Sequence, residues 1–192
     1  MATILRKIDE REYTSEKDIG VLYSENGLRS PRGGTVDLTW FQVSKDNNIV
    51  IAPGMVWIAD GAGSYRVLPA SKATAATTTS SPTLVVKHAN IFKIGEVLAK
   101  DNGDALGTIQ AINTETNTIT LAANSTTAVA IGDVLKLTGT DYSGIQGISH
   151  SSLNLSERSN DVAFYTSAAV YLDRMPIWNA TIAAALPEIT TV

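Results

Sequence analysis

The chain has 192 residues, 44% hydrophobic and 18% charged, with a formal net charge of -4 and no cysteine. That is enough apolar material for one full core. The acidic balance argues against nucleic-acid or anionic-lipid partners, which need a concentrated basic face, and the missing cysteines exclude disulfides, thiolate metal sites and cysteine nucleophiles.

Residues 1–35 carry a large share of the charge and end in "NGLRSPRGGT", whose Asn-Gly, Ser-Pro and Gly-Gly steps oppose regular structure. They suit an extended arm, or equally a loose terminus. The apolar residues of "IGVLYSENGL" favour an arm, because a purely solvated tail has no use for them. Its candidate contact residues are Ile4, Leu5, Ile19, Val21, Leu22, Tyr23, Leu28, Arg29 and Arg32. The opening "MATILRKIDEREYTSEKD" lacks the apolar run of a secretory signal. No stretch approaches the ~20 apolar residues of a membrane span, so no membrane partner is expected.

From Val36, "VDLTWFQV" alternates as a half-buried strand, and regular β structure is expected to begin there. Strands follow at Ile49–Ile51, Met55–Ile58 and Tyr65–Leu68, with a turn at residues 60–63. The stretch "ASKATAATTTSSP", residues 70–82, has the composition of a linker or long surface loop. Beyond it a meander of short strands is predicted at Leu84–Val86, Glu96–Lys100, Leu106–Ile112, Thr118–Leu121 and Val134–Leu137, reversed by "DNGD" and "NTETN". Val162–Leu172 is the longest β-like run, and "NATIAAAL" suits a short helical turn.

One phrase occurs twice: "FKIGEVLAKDNG" from Phe92 and "VAIGDVLKLTG" from Val129, with Gly95 and Gly132 separated by 37 positions. Glu96 and Asp133 occupy the same place in each copy and would be a carboxylate pair if a fold joined them. The surrounding residues favour structure over chemistry. A glycine bend, an outward acid and a Val-Leu pair are what a strand needs to enter a core, whereas a catalytic pair needs a lined cleft. Matching bends at the two glycines are expected, with Val97 or Leu98 and Val134 or Leu135 meeting in a shared core.

Other chemistry is thin. His150 is flanked by Ser149, Ser151 and Ser152, but neighbours in an extended chain point apart and no strand-turn-helix serine elbow is present. "DNGD" offers oxygen donors at Asp101, Asn102 and Asp104 without the spacing of a calcium loop. "GAGS" and "SPRGGT" lack the features of phosphate-binding loops. No catalytic residue, cofactor, metal or small-molecule substrate is expected. Trp57, Tyr65 and Trp178 could stack on sugar rings, which leaves a carbohydrate-binding or adhesin module on a virion or cell surface as the alternative reading.

"SGIQGI" from Ser143 and "NDVAFYTSAAVYLDRMP" from Asn160 resemble the capsid decoration, or cement, proteins of tailed bacteriophages, the lambda type in particular. In the second run an apolar Phe-Tyr strand leads through small residues to a Val/Tyr strand and a proline. "GTIQAINTETNTITLA" is similar in style to inserts of phage virion proteins, and small members of the family lack such an insert. The resemblance implies a non-enzymatic virion protein on the outer surface of an icosahedral head, assembled in the host cytoplasm. It further implies a homotrimer, with an N-terminal arm that pairs with the major capsid protein, by β-augmentation if the arm works through its main chain. Candidate subunit-interface aromatics are Trp40, Trp57, Tyr165 and Trp178. The expected fold is mainly β: a small β-barrel or β-tulip-like core over 36–69 and 139–192, an extended capsid-binding arm over 1–35, and an inserted small β subdomain, a meander, over 70–138.

Overall fold

A computed structural model describes residues 28–29, 34–43, 49–60, 64–140, 142–149, 151–155 and 161–192. Strand accounts for 45% and helix for 8%, so the chain is mainly β, with a barrel-like domain built on a curled antiparallel sheet of six strands. Before that sheet lie β1 (Leu28–Arg29), β2 (Gly34–Val36), β3 (Ile49–Ile51), β4 (Val56–Ala59) and β5 (Ser64–Val67). The sheet itself comprises β6 (Ala70–Lys72), β7 (Thr83–Val85), β8 (Val97–Lys100), β9 (Ala105–Asn113), β10 (Thr118–Leu121) and β11 (Val134–Leu137). After it come β12 (Ile145–Ser149), β13 (Leu153–Leu155), β14 (Asp161–Val162), β15 (Phe164–Val170), the helix α1 (Ala180–Ala185) and β16 (Ile189–Thr191).

The order in the curled sheet is β6-β11-β8-β9-β10-β7. Only β8, β9 and β10 follow one another as a meander. The edge strands β6 and β7 meet at the Ala73–Val86 bridge, reinforced by the Lys87 N–H donating to the Lys72 carbonyl at 2.8 Å. The echo in the sequence is the outward sign of a two-fold repeat in this sheet. Gly95 and Gly132 both sit at positive φ, +90° and +88°, with open space where a Cβ would lie. The following acid closes the same turn in each copy: Glu96 N–H donates to Lys93 O at 3.3 Å, and Asp133 N–H to Ala130 O at 3.2 Å. The two strands then pair with each other antiparallel, Ala99 opposite Lys136 and Leu98 opposite Leu137.

The equivalence extends outward. Asp101 N–H reaches Val134 O at 2.9 Å and Thr138 N–H reaches Val97 O at 2.8 Å. Leu98 faces Gly107 on β9, as Leu135 faces Ser71 on β6. On the far side Leu84 pairs directly with Ile119. The chain thus builds three strands over 70–100, three more over 105–137, and interleaves them about an axis through the Ala99–Lys136 and Leu84–Ile119 pairs. Leu98 and Leu135 are fully buried in one cluster, as the echo predicted. Glu96 is exposed and Asp133 half-buried, so neither acid is drawn into a cleft with the other.

The remaining strands form a sheet ordered β1-β15-β12-β4-β5-β2-β14, with β16 parallel to β15, and a separate pair, β13 with β3. Val56-Trp57-Ile58 is apolar without alternation because both faces of this sheet are covered. Trp57, Val67 and Phe164 point into the cluster that also holds Leu84, Leu98, Leu106, Ile109, Ile119 and Leu135. Val56, Ile58, Leu68 and Tyr165 point the other way, against Met175, Ile177, Ile182 and Leu186 around α1. The six-stranded unit is therefore no detached lobe; one core runs from its interior onto the sheet.

Several expectations need correction. "VDLTWFQV" does not form one strand: β2 ends at Val36, and Leu38–Trp40 turns as a 3-10 helix because the Asp37 carboxylate caps it, accepting from the Thr39 N–H at 2.9 Å. Residues 70–82 are not merely linker, since Ala70–Lys72 forms β6 and Ala73 and Thr77 make further bridges. Among the described residues, strand pairing also begins earlier than Val36, at β1.

The "SGIQGI" glycines are explained by close approach. A Cβ on Gly147 would lie 2.7 Å from Phe164 Cδ2 and closer still to the Tyr165 carbonyl oxygen, so β12 can lie against β15 only without a side chain there. Gly147→Ala should cost about 2 kcal/mol or more through this backbone clash. Gly95→Ala and Gly132→Ala, which meet no atoms, should each cost about 1 kcal/mol through positive φ alone. Denaturant unfolding of the three variants checks the order, and equal losses would refute the packing role of Gly147.

Candidate interaction surface

The most site-like cluster lies where the β2 segment meets the echo's first bend. Asp37 N–H bonds Tyr65 O on β5 at 3.0 Å, and Gln42 N–H bonds Asn90 O at 2.9 Å, so the intervening 3-10 turn is pinned at both ends. This places the half-buried Trp40 against two cations: the Arg66 guanidinium carbon lies 3.9 Å and Lys93 Nζ 4.6 Å from its ring centroid. Both contacts are attractive because the ring face carries the negative end of the aromatic quadrupole. Burial lowers the Arg66 pKa, opposed by the carboxylates of Asp60, Asp37 and Glu96. Chain neighbours of these residues add exposed apolar surface at Val43, Ile94 and Val97. A tryptophan and an arginine amid aliphatic surface are the residue types that carry contact energy between proteins; they supply no nucleophile or proton acceptor.

A second polar cluster ties the curled sheet to the C-terminal segment. The Tyr142 hydroxyl donates to Asp101 Oδ1 at 2.8 Å, and Lys136 Nζ lies 3.0 Å from the same oxygen. Asn179 stands close enough to Asp101 to help lower its carboxyl, while its Oδ1 caps α1 by accepting from the Ile182 N–H at 2.9 Å. Burial acts to raise the Asp101 carboxyl, but Lys136, Tyr142 and Asn179 together outweigh it and hold the carboxyl below its ordinary value. Burial, then the bond to Asp101, pushes the Tyr142 phenol up. On the other side of the β8–β11 pair, Lys100 lies 2.7 Å from Asp133, and this bond, with the Ala130 N–H, lowers the Asp133 carboxyl.

Of the candidate arm residues, Leu28 and Arg29 form β1, paired antiparallel with Ser167 and Tyr165 of β15. Ile4, Leu5, Ile19, Val21, Leu22, Tyr23 and Arg32 lie outside the described residues. Trp57 and Tyr165 are interior residues of the single chain, which removes them as subunit-interface aromatics. Trp40 and Trp178 are half-buried, the latter against the α1 side of the core. Sugar stacking loses its best aromatic with Trp57, and Tyr65 is tilted against Phe164 with centroids 5.2 Å apart.

His150 lies outside the described residues, and its neighbour Ser149 is structural: buried, its Oγ donates to Ala52 O at 3.0 Å and accepts from the Met55 N–H at 2.9 Å. "DNGD" is a hairpin turn between β8 and β9. Among the described residues no group of three or more His, Asp or Glu could hold a metal, and no helix is long and apolar enough to cross a membrane. The Trp40 cluster escaped the sequence reading because its three members are brought together only by the sheet. No family model, curated protein or solved structure matches the chain.

The lowered carboxyls set a pH dependence. A group with a depressed folded pKa stabilises above its unfolded value, about 3.9 for Asp, and the contribution is lost as pH falls through the folded value. Thermal unfolding of the wild type should therefore drop below about pH 4. Asp101→Asn and Asp133→Asn should be less stable at neutral pH, with shallower acid limbs. Parallel curves for the variants and the wild type would refute the assignment.

Proposed function

We propose that the chain is a non-enzymatic virion structural protein. It binds the outer surface of an icosahedral phage head as a homotrimer, with the major capsid protein as partner, and stabilises the lattice. The observation that carries this reading is the way the N-terminal segment joins the body. Leu28–Arg29 pairs through its main chain with β15, the strand formed by "FYTSAAV" of the family-like run. An arm that engages by strand addition here can engage a neighbouring protein in the same manner, since main-chain pairing makes few demands on side chains. The residues preceding β1 number 27, and an extended chain spans roughly 3.3 Å per residue, so the segment can reach well beyond its own subunit.

The Trp40–Arg66–Lys93 surface suits a second contact separate from the arm, with aromatic and cationic anchors. The two contacts make separable predictions. Removing residues 1–27 should leave the far-ultraviolet spectrum and the oligomeric mass of the body intact and abolish co-sedimentation with expanded heads. Trp40→Ala should weaken binding about tenfold or more while the arm remains, as hot-spot truncations do. Undiminished binding by the truncated protein would show that the arm does not attach it.

A further inference from the structure

We infer that Asn102–Gly103, at the tip of the β8–β9 hairpin, is a site of spontaneous deamidation whose rate the native turn restrains. In an Asn-Gly step the glycine amide nitrogen attacks the asparagine Cγ. A C–N bond forms, closing a succinimide, and the side-chain nitrogen leaves as ammonia. Water then opens the ring on either side to give aspartate or its β-linked isomer. The reaction needs only water and base, and it is fastest before glycine because no side chain crowds the attacking nitrogen. Asn102 and Gly103 are both exposed, so water has access.

The turn opposes each atom that must move. The attacking nitrogen is occupied: Gly103 N–H donates to the Lys100 carbonyl at 2.9 Å. The attacked side chain is tethered at both ends to one residue, its departing Nδ2 donating to Asp104 Oδ2 at 2.9 Å and Oδ1 accepting from the Asp104 N–H at 3.1 Å. The hairpin is closed beneath them by Lys100 N–H on Asp104 O at 2.8 Å. Bringing Gly103 N onto Asn102 Cγ requires the tether to release and the turn to open. Asp104 is thus a restraining residue.

The product matters because of its neighbour. Asp101 is the carboxylate held by Lys136 and Tyr142, and deamidation sets a new negative charge between Asp101 and Asp104. The β-linked isomer also lengthens the backbone inside the turn. Both changes loosen the junction between the curled sheet and the C-terminal segment, so the hairpin would act as an ageing site in a long-lived assembly.

The test is peptide mapping of the intact full-length chain after incubation at mildly alkaline pH, scoring aspartate and β-linked aspartate at position 102. The folded wild type should convert roughly tenfold or more slowly than the same chain in urea, as expected when several hydrogen bonds must break together. Asp104→Ala should convert several-fold faster than the folded wild type, whereas Asp104→Asn, which keeps an acceptor for Nδ2, should stay close to it. Circular dichroism of both variants separates loss of the tether from loss of the fold. Equal rates in folded and urea-unfolded chains, or a folded Asp104→Ala variant that converts no faster than the wild type, would overturn the inference.

Discussion

The pairing of β8 with β11 is the contact on which the rest of the molecule depends. Each strand begins at a glycine bend that releases the chain inward, and each delivers a leucine, Leu98 or Leu135, to the centre of the core. Because the two strands are equivalent and antiparallel, each supplies the other's missing neighbour: Asp101 bonds Val134 and Thr138 bonds Val97. Neither half can complete its hydrogen bonding alone, and an unpaired buried amide or carbonyl is costly. The repeat is thus a mutual requirement, and it gives both copies the same need for a glycine, an acid and a Val-Leu pair.

That curled sheet has a well-filled interior, but it does not close over it alone. Its stability comes from sharing a core with the larger sheet, through Trp57, Val67 and Phe164 on one side and Phe92, Leu106 and Leu121 on the other. The larger sheet buries its second face against the Met175–Leu186 segment, and Tyr142, packed against that cluster, bonds Asp101 at the β8–β9 turn. A body braced in this way suits the proposed role, in which a rigid block presents a short paired strand and a cation-flanked tryptophan to a neighbour.

Much of this was legible in local pattern. Ile49–Ile51, Thr118–Leu121 and Val134–Leu137 begin and end where alternation and turn chemistry placed them, and the helix at Ala180–Ala185 lies within "NATIAAAL". The echo gave the matched bends because a glycine before an acid and two aliphatics constrains φ and burial together. What was lost follows from physics that composition hides. Ala70 and Ser71 are fully buried in β6, where small side chains allow close packing, yet their composition resembles a linker. Asp37 turned an alternating run into a 3-10 cap by bonding its own backbone neighbours. Among the described residues the longest strand is Ala105–Asn113 rather than the Val162–Leu172 run, which breaks at Ala163 and ends at Val170. Pairings such as β6 with β11, about sixty residues apart, are set by closure of the sheet, and no local pattern carries them. The Trp40 cluster shares that cause, since its members come from three separated segments.

The shared core makes the duplicated curled sheet and the larger sheet one cooperative body. Native-state amide hydrogen exchange under increasing denaturant tests it most directly. In one cooperative body the amides of Leu98 and Leu135 merge with those of Trp57 and Ile148 into a single opening of the same free energy and denaturant dependence. Exchange of the β8–β11 amides through a cheaper opening that leaves β4 and β12 protected would contradict it.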